Sequence, residues 1–150
     1  MSTAFAIISL LFNGLMAGLF YVFSTTIMPA FAAIEPAQAT AAMRSINRTI
    51  LNPLFLPVFL LAPVASLVAG VLLLVGGASA AGVLFLAAAA VYLLGTLATT
   101  AVLNVPMNNA LEAGGLDWPA YAPRWTTWNH VRSLSCAAAL VLGGVALTLV

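Results

Sequence analysis

The sequence predicts an all-α integral membrane protein: a four-helix bundle with an interfacial helix between spans 1 and 2 and a polar loop between spans 3 and 4. Three observations predict it. Of 150 residues 64% are hydrophobic and only 5% charged, whereas a soluble domain keeps roughly a quarter of its residues charged to wet its surface. The mean hydropathy is +1.17, so lipid is the expected solvent. The polar residues gather in a few stretches between apolar runs, each close to the roughly 20 residues a helix needs to cross the hydrocarbon core.

Residues 4–28 form the first span; the run is too long, and lacks the basic flank, for a cleaved signal peptide. Gly14 and Gly18, four apart, offer a small-residue face for another helix or a second copy of the chain. Asn13 should turn into the bundle with some of Tyr21, Ser24, Thr25 and Thr26, because an amide in hydrocarbon needs a partner. Pro29 marks a helix end or a kink. Residues 36–52 read as a short interfacial helix with Pro36 in its first turn. Arg44, Asn47 and Arg48 share one face there, either meeting headgroups or lining a site.

The second span, 53–75, carries Pro53, Pro57 and Pro63 and should be kinked around a packed or wet pocket. Gly76-Gly77-Ala78-Ser79 makes a tight turn, and an Ala-rich third span follows at about 82–103. A loop is expected from Asn104 to Pro123, with Gly114-Gly115 and Trp118-Pro119 as turn formers. From about Arg124 the pattern becomes helical, with Trp125 and Trp128 in the interface and residues 131–150 crossing. No domain boundary or repeat is evident, so 1–150 is one transmembrane domain. Four spans put the termini on one side and both long loops on the other. All four arginines lie in or next to those loops, so the expected topology is loops cytoplasmic and termini outside, in the plasma membrane or a bacterial inner membrane.

Charge and rare residues exclude several functions. Arg44, Arg48, Arg124 and Arg132 stand against Glu35, Glu112 and Asp117, with no lysine and a net charge of +1. That is no footprint for nucleic acid. Cys136 is the only cysteine and His130 the only histidine, so an intrachain disulfide, a CxxC motif or a bis-histidine haem cannot form. No metal and no cofactor are expected.

Both long loops leave the bundle at the same end, which can bring the Arg44 helix, the Asn104 segment and the Trp125–Arg132 segment together. Asn104 and Asn108 share a helical face around Pro106, and such a segment either lines a cavity or caps a helix end. Trp125, Asn129, Arg132 and Cys136 fall at i, i+4, i+7 and i+11 on one stripe, with Trp128 one turn before Arg132. Indole, amide and guanidinium in line could hold a flat, electron-rich molecule and stabilise negative charge on it. The same pattern also fits an interfacial belt with Arg132 snorkelling to phosphate. His130 has the ordinary pKa for proton transfer near neutrality, or is simply solvated.

Asn104-Val105-Pro106-Met107-Asn108 and Trp125-Thr126-Thr127-Trp128-Asn129-His130-Val131-Arg132, on four spans, resemble the anthrone oxygenase-like membrane proteins. Tyr21, Phe23, Ser24 and Met28-Pro29, and Met43 to Asn52 with Asn47-Arg48, look like that family too. The resemblance implies oxidation of an anthrone to an anthraquinone by molecular oxygen with no dissociable cofactor. On that reading His130 or a carboxylate removes a C–H proton. Arg132, Asn129, Asn104 and Asn108, with Arg48, hold the enolate oxygen, and Trp125, Trp128 and Asn47 complete the substrate pocket. The alternative is a non-catalytic protein binding a lipid, a quinone or a partner, or a small oligomeric transporter. No carboxylate lies inside a span, which counts against proton-coupled antiport.

Overall fold

The computed structural model describes residues 1–150 and is entirely helical. Its helices are α1 (Ser2–Ala32), α2 (Pro36–Thr49), α3 (Phe55–Val75), α4 (Ser79–Glu112) and α5 (Trp118–Leu147). All but α2 are long and apolar enough to cross a membrane. They form a ring in which α1 packs on α3 and α5, and α4 on the same two. Short connections make neighbours antiparallel; the turn into α4 closes through Gly77 at φ 87°, a conformation glycine adopts without strain.

Packing follows the logic of lipid, where apolar burial gives helices no reason to associate and close approach does. Large side chains such as Leu67, Leu94 and Leu134 point outward, while Ala62, Ala69, Ala81, Ala88, Ala89, Ala139 and Ala146 are buried. At Gly70 and Gly82 the backbones of α3 and α4 nearly touch: a Cβ on Gly82 would lie 2.9 Å from Gly70 O. Gly14 and Gly18 make no such crossing within the chain. A Cβ on Gly14 would only graze Leu140, and one on Gly18 would meet nothing within 4 Å.

Buried polar groups are tied down as the bundle requires. Asn13 turns inward, donating to Ser9 O at 2.8 Å, beside a Ser9–Ser66 hydroxyl pair at 2.7 Å. Of the four hydroxyl residues that follow it, Ser24 is buried while Tyr21, Thr25 and Thr26 are exposed. Pro63, inside α3, has no N–H to return to Phe59 O, and the Tyr92 hydroxyl of α4 donates to that carbonyl at 2.9 Å.

Two helices widen near a proline. α1 has a π-helical turn at Phe23–Ile27, and α4 has two, at Leu93–Ala98 and Thr100–Asn104. Pro29 and Pro106 follow directly, each two residues beyond a widened stretch. A proline ring crowds the carbonyl four residues back, and a widened turn absorbs that clash without ending the helix. The segment expected as a loop from Asn104 is therefore helical through Glu112, and α1 runs on past Pro29 to Ala32.

The connection between α4 and α5 is correspondingly short, residues 113–117. α5 starts at Trp118 rather than near Arg124, because Asp117 caps it by accepting from Ala120 N at 3.0 Å and Pro119 suits the first turn. α2 lies across this end, burying Ala39 and Met43 against a cluster with Met107, Leu111, Trp118 and Tyr121. Arg44 Nε donates to Leu111 O at 3.0 Å, so it closes the C-terminal turn of α4.

Candidate ligand pocket

The wide turns of α1 and α4 stand beside the stripe on α5, and between them lies a cavity of about 530 Å³. Its walls come from every helix: Leu19, Phe20 and Phe23 on α1, Met43 and Asn47 on α2, Phe55 and Phe59 on α3, Thr100, Val105 and Asn108 on α4, Trp125 and Arg132 on α5. Ile50 and Leu51, in the α2–α3 connection, complete one side. At the mouth Arg48 and Glu112, both lining residues, form an ion pair of 2.7 Å between α2 and α4.

Arg132 is the centre of the arrangement. It is 5% exposed, with its guanidinium carbon 4.4 Å from the centroid of Phe20 and 4.9 Å from that of Trp125. Nη2 donates to Asn129 Oδ1 at 2.8 Å and Nη1 to Thr100 Oγ1 at 3.4 Å, while Nε has no partner. Asn129 is itself fixed, donating to Phe20 O at 2.8 Å and to Ser24 Oγ at 2.7 Å. No carboxylate neutralises Arg132, since the chain's single ion pair joins Arg48 and Glu112. A buried cation held only by ring faces and neutral oxygens keeps a large unmet demand for negative charge.

Further donors are unused. Trp125 Nε1 and Asn47 Nδ2 are buried without partners, on residues that line the cavity. Asn108 Oδ1 accepts from the Tyr121 hydroxyl at 2.8 Å. Asn104 sits behind the wall: its Nδ2 donates to Trp125 O at 3.3 Å and its Oδ1 is unpartnered. The pocket is thus apolar over most of its surface, with a few polar residues of α5, α4 and α2 in its walls, the general character of a small-molecule site.

Among the residues singled out from sequence, Asn47, Arg48, Asn108, Trp125 and Arg132 line the cavity, and Asn104 and Asn129 stand directly behind it. Trp128 and His130 are both exposed and neither is in the wall: His130 lies on the opposite face of α5, and Trp128 flanks the buried stripe. Arg132 therefore stacks on Trp125 and Phe20 rather than on Trp128, because the buried stripe carries it toward α1. It does not snorkel outward. No cluster of histidine, cysteine and acidic side chains is placed to share a metal ion.

Sequence reasoning missed Phe20, Phe59 and Thr100. Thr100 had a signal, one helical turn before Asn104, but the two phenylalanines look like any others in an apolar run. Their role comes from the tertiary position that puts the Phe20 ring beneath a guanidinium.

Residues 48–142 match the family described as anthrone oxygenase. The match begins at Arg48, so it takes in Asn104, Asn108, Trp125, Asn129 and Arg132 and leaves out α1 and Asn47. Neither a curated protein nor a solved structure matches the chain. With a match over more than half its length that contains the buried stripe and the pocket face of α4, this four-span chain belongs to the anthrone oxygenase family.

Proposed function

We propose that the cavity binds an apolar polycyclic carbon acid of the anthrone type as its enolate and that the bound anion reacts there with molecular oxygen. The observation that carries this reading is Arg132, a buried guanidinium with no carboxylate, facing an aromatic-walled cavity. Its free Nε–H and the Trp125 indole N–H supply donors for an oxyanion. Phe20 and Trp125 supply faces for flat rings. Asn129 is a positioning residue, since it acts through Arg132. Asn108 and Asn47 serve the far end of the ligand, and His130 and Trp128 take no part.

The chemistry balances without another reductant. The enolate passes an electron to oxygen, and the resulting radical and superoxide join at the reacting carbon as a peroxide. Water protonates the peroxide, and the hydroxide so formed takes the remaining C–H proton as the O–O bond breaks, leaving a quinone carbonyl, water and a hydroxide ion. An oriented cation stabilises the anionic species along this path.

The test is oxygen uptake by the purified chain in lipid nanodiscs with an anthrone as substrate. Arg132→Ala should reduce it to the background rate, and unchanged uptake would refute the assignment. Arg132→Lys should also fail, because a compact ammonium cannot reproduce a forked, ring-stacked guanidinium. A quinone- or lipid-binding protein without turnover would instead tolerate that change. What favours this second reading is that no histidine or free carboxylate stands beside Arg132.

We place the wide end of the bundle at the cytoplasmic face. With Arg132 inside the pocket, Arg44, Arg48 and Arg124 remain at that end, against none at the termini or the Gly76–Gly77 turn. A cysteine introduced at Ala78 should react with an impermeant reagent only from outside.

A further inference from the structure

Around Arg132 the pocket offers a cation and donors but no group able to take a proton. Only Arg48, Glu112 and Arg132 among the lining side chains are charged. Glu112 lies twelve residues beyond Thr100, the α4 residue that bonds the Arg132 guanidinium, or roughly 18 Å along the helix. Its carboxylate is already engaged with Arg48.

The other titratable groups near Arg132 are weak acids that hold their own protons in hydrogen bonds. Tyr92 donates to Phe59 O, Tyr121 donates to Asn108 Oδ1, and Cys136 shares a hydrogen with Thr96 at 3.2 Å. From α1 the guanidinium is faced by the Phe20 ring, and Asn129 Oδ1 is taken up by Nη2. His130 points away, exposed on the far side of α5.

We infer that this pocket does not ionise its ligand but selects the anion: an aromatic enol or carbon acid that has already left its proton in the water or headgroup layer at the mouth. The inference rests on the oxyanion reading of Arg132. It makes the ligand's own acidity the determinant of what the protein takes up, and it favours substrates whose anion is appreciably populated at ambient pH. The O–H or C–H bond breaks outside, its proton goes to water, and the electron pair arrives on the oxygen that Arg132 receives.

The test uses the full chain in nanodiscs and a series of anthrones and hydroxyanthracenes of graded acidity, across the neutral and alkaline range. Binding is read by quenching of tryptophan fluorescence, and turnover by oxygen uptake. Expected is an inflection, in affinity and in kcat/KM, that lies at each compound's own pKa and moves with it through the series. Glu112→Gln should leave that inflection where it is, and Arg132→Gln should erase the preference for the anion. An inflection common to all compounds, or a loss of roughly 100-fold or more on Glu112→Gln as expected for removal of a general base, would overturn the inference. Ligand-set binding inflections with no oxygen uptake would support it while refuting the oxygenase reading. Turnover with a fixed inflection would do the reverse.

Discussion

The two ends of this bundle bury polar groups in opposite ways. At the end that holds both termini and the Gly76–Gly77 turn, packing is by alanine and glycine around Phe85, and Gly70 and Gly82 bring backbones together. The nearby Ser9, Asn13 and Ser66 are neutral, bond one another and line no part of the pocket, leaving one carbonyl oxygen of Asn13 unmatched. At the other end the helices widen, aromatic rings replace alanine, and a charged group faces an open space with its own and its neighbours' donors unused. One cluster is bonded for cohesion. The other is left short of the partner its charge demands, so a closed polar cluster and an open cavity share four helices.

The difference can be broken at several points. The largest effect is expected at Arg132: Arg132→Gln should lower the affinity for an anionic aromatic, and any oxygen uptake, by on the order of 100-fold or more, with the helical circular dichroism kept. At the narrow end the response should be inverted. Gly82→Ala forces a methyl against the Gly70 carbonyl and should cost about 1–3 kcal/mol of stability in detergent-induced unfolding, with ligand affinity per folded protein unchanged.

Between the ends, Tyr92→Phe removes the donor that serves the Phe59 carbonyl above Pro63. It should cost about 1 kcal/mol or somewhat more, read by the same unfolding assay. Smallest of all is His130→Ala. As an exposed side chain outside the pocket wall, it should change stability by no more than about 0.5 kcal/mol and leave oxygen uptake as it was, whereas a large loss would restore it as a catalytic base.

Much of the architecture was legible because lipid allows few solutions. Apolar runs had to be helices, Asn13 had to face inward, and spacing put Trp125, Asn129 and Arg132 on one face of α5, although it left open whether that face is buried or meets headgroups. Three things were hidden. Pro106 with its asparagines looks like a helix end, and nothing local says that a wide turn will absorb the proline. Trp128, one turn before Arg132, had the same apparent claim on the guanidinium as Trp125, and only packing against α1 separates them. Gly14 and Gly18 have the spacing of a close crossing, while the crossing itself pairs glycines on different helices, Gly70 with Gly82.

The widened turns before Pro29 and Pro106 also set a phase. Each acts as an added residue that lets the segment beyond it be aimed independently of the segment before. Deleting one residue from Thr100–Asn104 would give a more regular ladder of hydrogen bonds, yet it would swing Val105, Asn108 and Glu112 by about 100° around the axis, away from the cavity. The irregular ladder is therefore the hinge on which the aim of this face depends, and a tidier helix here would be a blind one.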